Sequence, residues 1–266
     1  MKRHTAQTLS AHSFSQAAFG LALSFSIMSP VFAGSFAVNP VRVTLSAGQA
    51  VAALTVHNDA KEPTVVQLET SAWSQRDGND VVTPTAEILA TPPIFTIAPG
   101  GSQIVRVGLR RTPDAQHELT YRLFLREVPP PEPMAQGLRV ALAVSLPVFV
   151  TPQRPVAPKL VWHVARQSDG QIQLRASNTG SAHVQIGRFE LSLAANGQML
   201  AAQTTSAYVL PDDTRTWILK SLPASAQGAL VGIFAQTDAG ESRAQIAVED
   251  VRPDSGPSAA VASLNH

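Results

Sequence analysis

The residues of this chain that could do chemistry are dispersed. Beyond residue 33 the sequence holds five histidines, His57, His117, His163, His183 and His266, and no two stand at ligand spacing on one predicted element. They read as satisfied surface histidines. No Gly-x-Ser-x-Gly elbow is present. Pro99-Gly100-Gly101 is the nearest thing to a phosphate loop, but a strand pattern follows it where a phosphate site needs a helix N-terminus, so it reads as a turn. The acidic side chains offer no pair for acid–base work. Cysteine is absent, which removes thiolate chemistry and disulfide staples together. The chain is therefore not expected to be an enzyme. No catalytic residue, metal or cofactor is predicted.

One stretch has regular spacing. Leu138, Val140, Leu142, Val144 and Leu146 alternate with Arg139, Ala141, Ala143, Ser145 and Pro147. At a strand period of two, the five large apolar side chains leave one face. An ordinary core strand would show the same alternation, and periodicity alone favours that reading. Two details point elsewhere. Proline has no N–H and belongs at an edge or bulge. The strand is also long and carries a single charge, whereas free edges are normally blunted with charge. Such an edge can accept or lend pairing. Burying five such side chains is worth roughly 7–15 kcal/mol gross, at about 1.5–3 each.

The elements around this strand are β throughout. With 44% hydrophobic and 15% charged residues the chain can fold, and its 20 prolines and 16 glycines are spread as turn punctuation. Strand patterns fall at 52–56, 64–73, 94–97, 103–109, 119–128 and 138–150, with a reversal signal at Arg76-Asp77-Gly78-Asn79-Asp80. Turns every 8–12 residues are the spacing of an immunoglobulin-like sandwich. Thr151 to Pro158 is a stiff proline linker. A second series follows at 159–164, 171–177, 184–193, 216–219, 230–236 and 242–248. The expected fold is all-β, with two immunoglobulin-like β-sandwich domains.

The first 33 residues read as a signal peptide. Lys2 and Arg3 precede an apolar run over 17–28, and Val31-Phe32-Ala33 offers a cleavage site. The expected division is 1–33 signal peptide, 34–152 first domain, 153–250 second domain and 251–266 a disordered tail. Losing Lys2 and Arg3 moves the formal charge from +1 to −1. That leaves no global pull toward nucleic acid or anionic lipid, and no membrane insertion of the mature chain is expected.

At these residues the chain resembles the PapD-like periplasmic chaperones of chaperone–usher pilus assembly, and most of all their archaic, spore-coat-U-associated branch. The resemblance is carried by Asn39-Pro40-Val41-Arg42-Val43-Thr44-Leu45, Leu54-Thr55-Val56-His57-Asn58 and Thr91-Pro92-Pro93-Ile94-Phe95. It continues through Pro99 to Arg106, Tyr121 to Pro130 and Leu138 to Pro152, covering nearly all of the first domain in order. It implies two sandwiches set in an L with a cleft between them, in the periplasm. It also implies donor-strand complementation, in which the last strand of the first domain is lent to a pilus subunit that is then delivered to an outer-membrane usher. Two packed antiparallel sheets and a lent strand are well-established properties of this family. The free protein capping itself as a dimer is a further implied partner.

On that resemblance the donated face falls on Leu138, Val140, Leu142, Val144 and Leu146. The family anchors the subunit's C-terminal carboxylate with basic residues, and its first-strand arginine falls on Arg42. A guanidinium takes a carboxylate through two parallel hydrogen bonds. The family's second anchor, a lysine, aligns with Pro147. Arg122 on the preceding strand is the candidate replacement, equally readable as a solvated strand arginine, and Arg139 is a weaker one. Arg106, Glu118 and Asp238 fall where the family places an inter-domain charge cluster. The alternative function is an immunoglobulin-like pilin or surface adhesin. A metal-binding oxidase-type sandwich would need a histidine cluster that the sequence lacks.

Overall fold

The computed structural model describes residues 32–33, 36–130, 139–220 and 228–250. Most of the expected signal peptide, the tail 251–266, Leu138 and the Arg139 side chain lie outside the described residues. Every described element is a strand. The first half contains β1 (Phe32–Ala33), β2 (Phe36–Asn39), β3 (Val43–Leu45), β4 (Val51–Asn58), β5 (Thr64–Arg76) and β6 (Asn79–Pro84). It continues with β7 (Ile88–Thr91), β8 (Ile94–Ile97), β9 (Ser102–Leu109), β10 (Leu119–Glu127), β11 (Arg139–Val140) and β12 (Ala143–Val150). The second half contains β13 (Leu160–Arg166), β14 (Ile172–Asn178), β15 (Val184–Leu193) and β16 (Met199–Val209). It ends with β17 (Thr214–Leu219), β18 (Leu230–Thr237), β19 (Gly240–Ala247) and β20 (Glu249–Asp250).

Two sheets form the first sandwich. One runs β3-β12-β10-β5-β6 with β8 also on β5, and the other runs β2-β4-β9-β7. Val56, Val66, Val105, Val107, Leu123, Leu125 and Val148 are fully buried between them. The second sandwich pairs β17-β14-β13-β20 with β16-β15-β18-β19 around Ile172, Leu174, Ile186, Phe189 and Leu191. The fold is all-β with two immunoglobulin-like sandwiches, as the alternation implied. β16 escaped the sequence reading because only Ala207 and Val209 of its side chains are buried, so it shows no apolar alternation.

The turns follow from local chemistry. Asp77 and Gly78, at φ 52° and 78°, join β5 to β6 as the type of two-residue turn that matches strand twist. Each sandwich also ends a strand on a buried asparagine. Asn58 donates to the carbonyls of Glu62 and Ile97 and accepts from Ala60 N–H and the Thr64 hydroxyl. Asn178 donates to Ala182 and Val209 and accepts from Lys159 and Gly180. Beside it, a Cβ on Gly180 would stand 2.3 Å from the Ala157 carbonyl, so the linker packs there only against glycine.

Tyr121 is buried in the first core and donates to Glu87 at 2.6 Å. Burial, then that bond, push the phenol well above its ordinary range. The same bond, with Arg111, holds the Glu87 carboxyl below its ordinary range against the desolvation of the site. A raised phenol stabilises the fold below about pH 10 and loses that contribution as pH rises through the folded value. Denaturation midpoints are expected to fall on passing from pH 9 to 11, and to fall less in Tyr121→Phe. An equal slope in both proteins would contradict this.

Candidate functional site

The lendable strand is divided by the structure. The expected single strand over 138–150 is interrupted at Ala141 and Leu142, where the Glu127 carboxylate accepts the Leu142 N–H at 3.0 Å. On one side β12 pairs with β10 along its whole length. On the other side, β3 covers it only from Val148 to Val150, and β1 covers β11 at Arg139 and Val140. Between these contacts the first strand has left this edge, because β2 pairs with β4 in the opposite sheet. The edge from Leu142 to Pro147 therefore faces no strand among the described residues. Pro147 stands at the last open position, where no N–H is needed for pairing.

The apolar side chains along this edge grade from free to committed. Val140 is 47% exposed, Leu142 and Val144 are half-buried against the first core, and Leu146 is 3% exposed. Leu146 is a correction to the expected donated face: it fills the chain's own core. From Leu146 onward alternation in burial stops, because Pro147 and Phe149 on the opposite face are buried as well, Phe149 against the second sandwich.

That cover forms the cleft. Phe149 and Trp73 of the first sandwich pack with Leu210 and Tyr208 of the second. The Trp73 and Tyr208 rings meet edge-on at 5.4 Å, and His183 stacks flat on Phe149 at 3.5 Å. Gln75 ties the same junction, accepting from Leu210 N–H and donating to the Tyr208 carbonyl. Arg215 donates to the Gly78 carbonyl, and Glu118 N–H to Ser181. Asp213 accepts the Gln75 N–H, and burial pushes its carboxyl up.

Arg42 lies between β2 and β3, with its side chain 36% exposed. It donates to Asp238 and Gln185, each at 3.1 Å, and to the Tyr208 hydroxyl at 3.5 Å. Arg122 stands opposite Pro147 in the β10–β12 register. It is not a solvated arginine: its side chain is 16% exposed and lies 3.6 Å over the Trp73 ring. Burial draws its pKa down, with Asp80 at 3.8 Å opposing. Both guanidiniums lie within 6 Å of the Tyr208 ring centre. Among the described residues the Arg122 guanidinium makes no hydrogen bond, and the buried Trp73 indole N–H has no acceptor.

The expected charge cluster takes a different form. Arg106 is exposed on β9 and contacts neither Glu118 nor Asp238. The reason is strand alternation: Val105 and Val107 face the core, so Arg106 faces solvent. Glu118 and Asp238 do converge, but on His183. Its Nδ1 is 2.6 Å from Glu118 and its Nε2 3.8 Å from Asp238. The surface reading of His183 is thus corrected, since its side chain is only 13% exposed. Trp73, Tyr208, Phe149 and Gln185 were missed, because nothing local marks which strand residue will face a second domain. Among the described residues no group of three such side chains is placed to hold a metal ion.

Residues 35–155 match the model of the pili and flagellar-assembly chaperone family, PapD N-terminal domain. This segment is a PapD-type chaperone domain. The curated chaperone protein PapD of Escherichia coli is 31% identical over 116 residues. That match takes in 41% of this chain and 46% of PapD, so it spans about half the length of that relative. Among solved structures, the chain resembles one in the CsuC–CsuE chaperone–tip adhesion subunit pre-assembly complex from archaic chaperone–usher Csu pili of Acinetobacter baumannii. The TM-score is 0.60 at 20% identity, covering 82% of this chain and 100% of that one. The E. coli chaperone DraB matches at 0.54 and 20% identity, covering 84% and 99%. At such identities the likeness establishes the two-sandwich fold. The pilin or adhesin alternative does not stand: β2 and β3 are integral strands of a chaperone-type domain, not a free extension.

Proposed function

We propose that this protein is a non-enzymatic periplasmic chaperone of the archaic type, which binds, stabilises and delivers pilus subunits to an outer-membrane usher by donor-strand complementation. Its working parts would be a first domain over 34–152 and a second over 153–250. The observation that carries this reading is the open edge from Leu142 to Pro147, running into a cleft with two arginines and a buried indole N–H that lacks an acceptor. A subunit lacking a strand would pair along that edge by main-chain hydrogen bonds and take Val140, Leu142 and Val144 into its groove. Leu146 contributes nothing new there, being buried already. The subunit's terminal carboxylate would reach Arg42 through a bidentate bond, with Arg122 and the Trp73 indole N–H as further donors. Release needs no nucleotide, since a subunit completing its fold on a better strand supplies the free energy. Ig-like capping of one copy by another is a competing use of the same edge.

Val140 gives the cleanest test, because it is exposed and outside the chain's own core. The protein is co-expressed with exported proteins that have an incomplete sandwich, and complexes are purified. Val140→Asp is expected to lower recovery about tenfold or more, since the groove would have to desolvate a charge. Recovery at the wild-type level, or no complex with any such subunit, would refute the donor-edge reading.

A further inference from the structure

We infer that His183 is a positioning residue that makes carboxylate capture by Arg42 depend on pH. This rests on the reading of Arg42 as the subunit anchor. In the free protein Arg42 is already occupied by a carboxylate of the chain itself, Asp238, 196 residues away in sequence. Any incoming carboxylate has to share or displace that partner. His183 approaches the same Asp238 oxygen, Oδ2, that Arg42 holds.

The tautomer of His183 follows from its contacts. Nδ1 is 2.6 Å from Glu118 Oε1, and a carboxylate only accepts, so Nδ1 carries the proton of the neutral ring. Glu118 Oε1 also takes the His183 backbone N–H at 3.1 Å, and the ring lies flat on Phe149, so its orientation is held. Nε2 then presents a lone pair toward Asp238 Oδ2 at 3.8 Å. Two acceptors face each other. Among the described residues Arg42 is therefore the only cationic partner of Asp238 while the ring is neutral.

A proton from solvent on Nε2 changes this. The imidazolium becomes a donor and an ion-pair partner for Asp238. The charged groups around the ring are Glu118 ahead of β10, Asp238 in the β18–β19 turn, and Arg42, with Tyr208 of β16 at 5.8 Å between ring centres. With His183 neutral these carry two negative charges and one positive. With His183 protonated they balance. An arriving carboxylate is then no longer added to a net negative cluster, and Arg42 can turn to it. The expected sign is tighter carboxylate binding as pH falls through the range where histidine titrates, about 8 to 5. By linkage, binding takes up a proton.

The probe is an N-acetylated octapeptide of alternating valine and threonine with a free C-terminal carboxylate, and its C-terminal amide is the control. Calorimetry on the whole exported chain is expected to show the carboxylate form binding about fivefold tighter at pH 5.5 than at 7.5. The amide should show no such difference. His183→Asn should flatten the profile. Because that change also removes the stack on Phe149, Asp238→Asn is the companion. It keeps the shape, should tighten binding at pH 7.5, and should also lose the slope. Equal affinity of wild type at both pH values, or a slope surviving in both variants, overturns the proposal. If Arg42→Ala still discriminates carboxylate from amide, the anchor reading itself fails, separately from the role of His183.

Discussion

Phe149→Ala is expected to lower the resistance to denaturant by about 3–5 kcal/mol, the range for deleting a buried phenylalanine ring. Phe149 is fully buried, and it is the member of β12 that faces the second sandwich. Its ring touches Trp73 and Tyr208 and carries the stacked imidazole of His183. Removing it opens a cavity between two domains that cannot collapse onto it without changing their relative angle. The loss should therefore appear in two measurements. The denaturation midpoint falls, and small-angle scattering shows a broader distribution of inter-domain distances. The first core does not contain Phe149, so its strands should remain formed by circular dichroism. A change below about 1 kcal/mol with unaltered scattering would mean that the junction is held by its polar bonds, Gln75 and Arg215 foremost.

Arg42→Ala is expected to weaken binding of a strand-forming peptide with a free carboxylate by about 10- to 100-fold. That follows from about 1.5–3 kcal/mol for hydrogen bonds to a charged group, at about 1.4 kcal/mol per decade. Binding of the corresponding amide should hardly change. Arg42→Lys should recover part of the loss, since it restores charge without the planar fork. The design separates the anchor from the edge: main-chain pairing along β12 remains in all three proteins. Equal losses for carboxylate and amide would mean that the variant had damaged the junction rather than removed an anchor. Arg122 is a poorer first target. Its stack on Trp73 makes any truncation a packing change as well.

Much of the fold was legible. The 13 residues of β5 place buried side chains at Thr64, Val66, Leu68, Ser71, Trp73 and Gln75, an alternation with one slip that a period-two search detects. Asp77-Gly78 announced its hairpin by residue type. The donor edge was legible as a pattern but not as a boundary. Leu142, Val144 and Leu146 look alike in sequence, yet they differ in exposure because β10 and the opposite sheet close over the strand progressively. Arg106 shows the limit of transferring a role by alignment. Its neighbours Val105 and Val107 already placed it on the outer face.

The chain's own alternation, turn residues and lack of cysteine determine that it is a two-sandwich β protein with one strand suited to an edge. These are local properties, set within a few residues by pleat, proline and glycine. Which residues meet in the cleft was decided only by tertiary structure. Arg42, Gln185, Tyr208 and Asp238 come from four separate elements up to 196 residues apart. Glu118 reaches His183 across the domain junction. Contacts of that kind depend on how two finished sandwiches pack. No periodicity along the chain encodes the distance between their facing side chains.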